Sequence, residues 1–329
     1  MVPERPLYPE NACLLAPVAG YTDLPFRLSA RRHGNKYAFT EMVDAGSLVF
    51  GVKKSLRLLA RDPSEAFLGV QIVGSDPETL KKSVEILNKM DFSVIDFNLG
   101  CPAPKVAKKC EGAALARKKP EEALKAFSVI AETARSPVSV KMRILSETDP
   151  EPTVQLVRRL ADCGASAVTV HGRIAEKFYS GPVFFDIIRA AAESVKIPVI
   201  ANGGALSAPL YHELRENSSC SRAMVARGAL GNPWIFSEID GGLPPTLEEF
   251  GNEVREHFFS MRDFYGEPFV FPICRKTLLA YLRGRGFPGS LRASVSFLNT
   301  LEDFELFMKE IGKGPLSKVY QETGRVARC

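Results

Sequence analysis

The sequence predicts an α/β fold, a (β/α)8 TIM barrel followed by a C-terminal all-helical domain, and three observations predict it. Eight short apolar runs recur between residues 12 and 225, each separated from the next by a helical pattern. The polar residues of these runs gather at their C-terminal ends, where such barrels carry their chemistry. After Ile239 the alternation stops and only helical patterns follow. Eight alternating units call for a parallel sheet, most economically a closed barrel, with a doubly wound open sheet as the structural alternative.

In chain order the expected strands are Ala12–Ala16, Tyr37–Glu41, Phe67–Ile72, Val94–Asn98, Val138–Arg143, Ala167–His171, Ile197–Asn202 and Arg222–Val225. Between them, "GSDPETL" offers Ser75 or Asp76 as an N-cap, Pro77 in the first turn and Glu78 to complement the helix dipole. "KKPEEALKAF" starts a helix the same way at Pro120. "TDPEPTVQLVRRLADCG" puts Val154, Val157, Leu160 and Ala161 on one face and closes on Gly164. "GGLPPT" reads as a linker, and helices are expected over 246–265, 271–284, 290–298 and 301–312. The division is therefore a barrel over 1–240 and a helical domain over 243–329.

Composition narrows the setting. With 45% hydrophobic and 25% charged residues the chain has ample core for a globular protein. No apolar run is long enough to span a membrane, and "MVPERPLYPE" is a poor signal peptide, so a reducing cytoplasm and no membrane are expected. The seven cysteines form neither a disulfide framework nor a CxxC metal pattern, so no metal is expected. A net charge of +5 hints at an anionic partner.

The chemistry-bearing stretch is "DFNLGCPAPK", residues 96–105. Asp96 and Asn98 share one face of a strand, and Pro102 and Pro104 stop its continuation as paired strand or helix just where Cys101 appears. Gln71 lies near the end of the third strand. The fifth puts Ser139, Lys141 and Arg143 on one face, and the sixth brings Thr169, His171 and Arg173 together. One such group would be an ordinary surface charge; several strands ending this way argue for a site. "ANGG" after strand seven and "ARGALGNP" after strand eight are glycine-rich turns at the phosphate position of this fold. Gly203, Gly204 and Gly228 would let backbone N–H groups approach an anion, and Arg227 adds positive charge. A ligand with one phosphate that uses Lys, His, Gln and Asn beside a thiol fits flavin mononucleotide (FMN), with backbone groups of Ala16, Pro17, Val18 and Ala19 along one edge.

"LAPVAGYTDLPFR", "VIDFNLGCPAPKV", "VKMR", "VTVHGR", "IPVIANGG" and "MVARGALGNPWIF" occur in order over residues 14–236, with weaker support from "CRKTLLAYLRGRGFPGSLR". Together they resemble the tRNA-dihydrouridine synthase family. The resemblance implies an FMN-containing barrel with a helical tRNA-binding domain that reduces a tRNA uridine with NADPH (or NADH). Carried over by motif, Cys101 would give a proton to uracil C5 while hydride passes from the flavin to C6. Gln71, Lys141 and His171 would bind the flavin ring; Asn202, Gly203, Gly204, Ala226, Arg227 and Gly228 would bind its ribityl and phosphate. Asn98, Arg143 and Arg173 would lie near the ring or the base. The chain departs from the family pattern at Gly204, where aspartate is frequent, and at Leu145, Ile174 and Ala116.

The nucleic-acid side has its own support. Lys105, Lys108, Lys109, Arg117, Lys118 and Lys119 surround the thiol loop, opposed in sequence only by Glu111. From Pro268 to Leu301 there is no acidic residue, while Arg275, Lys276, Arg283, Arg285 and Arg292 are present. Two basic stretches suit a phosphate backbone, and a monomer that binds tRNA is expected. Two other readings stay open: a dihydroorotate dehydrogenase-like flavin barrel, for which the basic tail would have no purpose, and a catalytically silent tRNA-binding protein.

Overall fold

A computed structural model describes residues 7–328. The start of the N-terminal segment read against a signal peptide, residues 1–6, lies outside the described residues, as does Cys329. Eight strands form one parallel sheet: β1 Cys13–Leu15, β2 Ala38–Asp44, β3 Leu68–Val73, β4 Val94–Leu99, β5 Val138–Arg143, β6 Ala167–His171, β7 Val199–Asn202 and β8 Arg222–Val225. Their order is β1-β8-β7-β6-β5-β4-β3-β2. A parallel bridge between Leu14 and Tyr37 joins the two ends, where Leu15 N–H donates to the Tyr37 carbonyl at 2.8 Å. The expected (β/α)8 TIM barrel is present.

The strands sit where the sequence puts them, with small differences at their ends. β7 begins at Val199 rather than Ile197, because Pro198 has no N–H for the ladder. β2 runs on to Asp44 through a register shift between Phe39 and Met42. Asp76, one of the two caps offered by the sequence, accepts from Thr79 N–H at 2.8 Å. The barrel floor is apolar: Leu14, Phe39, Val94, Ala167, Ile200 and Met224 pack in one buried cluster with Tyr8. The Tyr8, Tyr37 and Phe67 rings meet pairwise with centroids 5.2–5.8 Å apart.

The chain divides into two compact units, whereas the sequence reading placed its division at 240–243. The first takes the residues up to Asp23 and Lys36–Ala226; the second takes Leu24–Asn35 and the chain from Arg227 onward. The helix Leu24–Arg32, which follows β1 in sequence, thus belongs to the second unit. There the helices Leu247–Tyr265 and Leu301–Ile311 each begin with a capping box, Thr246 with Glu249 and Thr300 with Asp303. Val270–Leu282 and Gly289–Ser294 lie between them. A further helix, Lys318–Thr323, was not expected; its sequence, "KVYQET", has no apolar stripe. Phe258 stacks on Phe304 at 3.7 Å and Phe250 on Phe287 at 5.5 Å in the core of this unit. Among the described residues no helix is long and apolar enough to cross a membrane.

The second unit is pinned by one buried carboxylate. Glu253 accepts from Ser29 Oγ at 2.6 Å, from Arg32 at 2.8 and 3.1 Å, and lies 2.9 Å from His33 Nε2. Burial alone would raise its pKa; the hydrogen bonds from His33 and Arg32 outweigh it and hold the carboxyl down at about 2. Because the folded value is depressed, the stabilisation is fully present above about pH 4.5 and is lost as pH falls towards 2. Glu253→Gln is expected to lower unfolding free energy by about 3 kcal/mol, the lower end for breaking a buried pair, since Arg32 stays partly solvated. Urea titrations from pH 7 down to 2.5 check this. The variant should lose less stability than the parent below pH 4.5, where other carboxylates such as Asp44 and Glu249 also titrate with lowered pKa, and equal curves would assign the acid limb elsewhere.

Candidate active site

Every residue of β4, "VIDFNL", is buried, and alternation places Asp96 and Asn98 on the inner face above the apolar Val94. A carboxylate there must be hydrogen-bonded. Register supplies the partners, since Asp96 stands beside Gln71 on β3 and Ser139 on β5. Gln71 Nε2 donates to one carboxylate oxygen at 2.7 Å and Ser139 Oγ to the other at 2.6 Å. Desolvation raises the Asp96 pKa to about 6, against these bonds and the nearby Lys141. Gln71 Oε1 accepts from Asn98 Nδ2 at 2.8 Å, and Asn98 Oδ1 accepts the N–H groups of Gly100 and Cys101 at 3.0 and 2.8 Å.

Cys101 is half-buried and starts a loop that returns upon itself. Ala113 N–H donates to the Cys101 carbonyl at 3.1 Å. Gly112 makes the turn at φ 60°, and a Cβ there would lie 2.8 Å from that carbonyl oxygen. The open stretch after β4 is shorter than the two prolines suggested: a helical turn runs over Pro104–Lys108, with Pro104 in its first turn, where a missing N–H costs nothing. Arg143, expected near the substrate, gives its donors to the carbonyls of Gly100 at 2.9 Å, Ile174 at 3.1 Å and Phe178 at 2.8 Å. It braces the thiol loop against the loop after β6. Arg173 is also buried, with Nε on the Gly181 carbonyl at 2.9 Å and Nη1 3.5 Å from His171 Nε2.

At the ends of β4 to β8 the ladder aligns Asn98 with Lys141, Arg143 with His171, His171 with Asn202 and Asn202 with Met224. Asn202 Nδ2 donates to the Met224 carbonyl at 2.8 Å, which turns Oδ1 to Lys141 Nζ at 3.1 Å. Burial, then Arg143, lower the Lys141 pKa to about 8, against Asp96 and Cys101. Gly203 and Gly204 carry positive φ of 121° and 79° in succession. A Cβ on Gly203 would lie 2.8 Å from His171 Cδ2, so only glycine lets the imidazole sit there. Such a donor set, cationic and amide groups beside two successive glycines, suits a planar heterocycle carrying an anion.

The other expected residues are less uniform in their surroundings. After β1, Ala16 N–H is spent on the Val225 carbonyl at 2.8 Å and Val18 N–H on Thr22 Oγ1 at 3.0 Å; Pro17 has none, and Ala19 is exposed. Ala226 directly follows β8. Arg227 and Gly228 open a 3-10 turn, and Gly228 needs no positive φ. Lys105, Lys276, Arg283 and Arg292 are exposed, whereas Arg275 is half-buried with Nη2 on the Leu298 carbonyl at 3.0 Å. Two readings are corrected. Arg285 is not part of a basic surface: it is 1% exposed, bonds Asn232 Oδ1 at 2.7 Å and lies over the Phe250 ring. The loop lysines are not opposed by Glu111 alone, since Lys109 pairs with Asp44 at 2.8 Å, Arg117 with Glu176, and Lys119 with Glu122 at 2.8 Å. The bonds of Asp96 and Ser139 were missed; the signal was a carboxylate in the middle of a strand buried along its whole length.

The chain matches the family described as dihydrouridine synthase (Dus) over residues 14–311. It is 35% identical over 295 residues to a probable tRNA-dihydrouridine synthase of Rickettsia conorii, covering 87% of this chain and 88% of the relative. It is 32% identical over 282 residues to tRNA-dihydrouridine synthase B of Pasteurella multocida, covering 84% and 85%. Among solved structures, a 6-hydroxypseudooxynicotine amine oxidase from Pseudomonas geniculata aligns with a TM-score of 0.55 at 11% identity, over 71% of this chain and 47% of that one. That likeness concerns the fold alone.

The two glycines after β7 separate conformation from space. Gly204→Ala adds left-handed strain of about 1–2 kcal/mol, with its nearest contact at 3.4 Å; Gly203→Ala adds strain and a collision with His171 at 2.8 Å. Thermal melts should show Gly203→Ala as the more destabilised of the two. Equal losses would mean that His171 yields freely.

Proposed function

The chain belongs to the dihydrouridine synthase family, and from that premise we propose that it reduces a uridine of tRNA to 5,6-dihydrouridine at the mouth of the barrel, with Cys101 as proton donor. The observation that carries this reading is a half-buried thiol, tied by its own backbone to Asn98, on a closed loop over a row of strand-end donors. The residues present fit FMN. Gln71 keeps an N–H and a lone pair beyond its two bonds, and Lys141 keeps donors beyond its bond to Asn202. Gly203 and Gly204, lacking Cβ atoms, let backbone amides come close to a phosphate, a role the sequence assigns equally to the turn Ala226–Gly228. Bound FMN supplies the hydride that adds to uracil C6, and NADPH or NADH replenishes it.

The chain's own residues do the rest. Cys101 holds a proton on Sγ and delivers it to C5, so that reduction adds one hydride and one proton across the double bond. Lys141, His171, Asn202 and Gln71 bind and orient the flavin. Arg143 and Arg173 shape the loops around the base, while exposed Lys105 meets phosphate. In the second unit, Lys276, Arg283 and Arg292 supply sequence-independent phosphate contacts, with Arg275 partly committed to its own helix ends. This is the activity expected of a cytoplasmic, monomeric tRNA-modifying enzyme.

Incubation with unmodified tRNA, FMN and NADPH, followed by nucleoside analysis, tests the reading directly. Cys101→Ala should keep FMN yet lose ~10²–10⁴-fold in dihydrouridine formation, the usual worth of a general acid; near-parental turnover would reject the assignment.

The Lys141 ammonium, with a pKa of about 8, loses its charge as pH rises past that value. FMN retention should therefore fall between pH 7 and 9, and Lys141→Met should bind FMN weakly with no such dependence. A parent whose retention is flat across this range would place Lys141 away from the ring.

Changing Lys276, Arg283 and Arg292 together to Gln should weaken tRNA binding and flatten its salt dependence by roughly 0.7–0.9 log units per contact per decade. NADPH oxidation should be unaffected. Unchanged affinity at low and moderate salt would move recognition to the loop 105–119.

A further inference from the structure

We propose that Asp96 is a positioning residue whose carboxylate sets the direction of a hydrogen-bond chain that holds the backbone of Cys101. The chain runs within the barrel unit from Ser139 through Asp96, Gln71 and Asn98 to the N–H groups of Gly100 and Cys101, with donor–acceptor distances of 2.6, 2.7, 2.8, 3.0 and 2.8 Å. It crosses three adjacent strands at registered positions, and Gln71, Asp96, Asn98 and Ser139 are each at most 7% exposed. Tyr8 closes the far end through Ser139, and Lys141 faces Asp96 from β5.

Polarity is the constraint on every link. A carboxylate only accepts, while a primary amide has one accepting and one donating end. Because Asp96 only accepts, Gln71 must turn Nε2 towards it and Oε1 towards Asn98. Asn98 must then give Nδ2 to Gln71, which leaves Oδ1 for the loop. Backbone N–H groups only donate, so the loop end demands the same orientation of Asn98. Both ends agree, and every link is satisfied with a single carboxylate. In a dry interior such a chain is either complete or costly, because a donor facing a donor cannot be relieved by water.

Putting an amide at position 96 removes the constraint at one end, and turning Gln71 over to meet it sets two donors face to face at Asn98. A carboxylate at position 98 restores the polarity in reverse. The amide now at position 96 donates to Gln71 Oε1, and Gln71 Nε2 donates to the carboxylate at position 98. That carboxylate still accepts from Cys101 N–H. The exchange keeps composition, charge and volume unchanged. That Asp96 serves catalysis rests on reading Cys101 as the reacting thiol; the chain itself does not, so the test reads the backbone rather than turnover.

Amide hydrogen exchange of the full chain, resolved at Gly100 and Cys101, is compared for the parent, Asp96→Asn, Asn98→Asp and the exchanged pair Asp96→Asn/Asn98→Asp. Each single variant should speed exchange at these two amides about tenfold or more while β6 and β7 stay protected. The exchanged pair should return it to within about threefold of the parent. The proposal is overturned if the single variants leave the two amides unchanged or speed exchange equally throughout the barrel. It is overturned equally if the exchanged pair is no slower than the singles. If a single variant does not accumulate, the exchanged pair decides alone: parental protection supports the chain, and failure to fold or loss of that protection rejects it. The outcome expected of the four proteins, together with a parent that forms no dihydrouridine, would reject the reaction and leave the chain standing.

Discussion

A parallel barrel of eight strands has to fill its own interior, and here the filling changes character halfway up. The floor is made of Leu14, Phe39, Val94, Ala167, Ile200 and Met224, which need nothing but contact. Above it come Asp96, Ser139, Thr169 and Gln71, all buried, which need partners. The desolvated Asp96 carboxylate is the most demanding of them, and its need is met entirely by neighbouring strands. Strand register therefore has a chemical consequence: a slip of one residue would turn Asp96 towards the helices and leave its two donors unpaired. The order at the mouth of the barrel, including the support of Cys101, depends on that layer.

The two units resolve buried charge differently. In the barrel, the carboxylate keeps neutral donors as its nearest partners and its pKa rises to about 6. In the helical unit, Glu253 has an arginine and a histidine and its pKa falls to about 2. The first arrangement costs stability near neutral pH and supports a site; the second joins the helix Leu24–Arg32 to Leu247–Tyr265, 220 residues away in sequence, through contacts such as His33 with Glu253.

The strands and most helices were legible because apolar runs, N-caps and prolines are local signals, and strand ends moved only where a partner or Pro198 decided them. The strand-end residues Gln71, Asn98, Lys141, His171 and Asn202 were legible for a similar reason, since alternation assigns faces without knowing neighbours. What escaped was set by pairing across strands or between distant segments. Which way Gln71 and Asn98 turn depends on registers that no single strand displays. Arg285 reads as one more surface cation until Trp234 and Phe250 are brought over it. The helix Leu24–Arg32 looks like any first barrel helix until Glu253 appears beside it.

The loop that leaves Cys101 and returns to it at Ala113 is closed by a backbone hydrogen bond, with Gly112 turned tightly against the Cys101 carbonyl. The bond joins main-chain groups, and the side chain of residues 104–110 that meets the turn is the apolar Val106, whose Cγ1 lies 3.1 Å from where a Gly112 Cβ would stand. Composition and length are thus governed by different constraints in this segment. Its lysines can be exchanged for other residues, to suit a differently shaped RNA for instance, without touching what fixes the thiol. Adding or removing a residue, however conservative in chemistry, would break the ring's count and move the turn off the carbonyl. The segment can vary by substitution, and hardly at all by insertion or deletion.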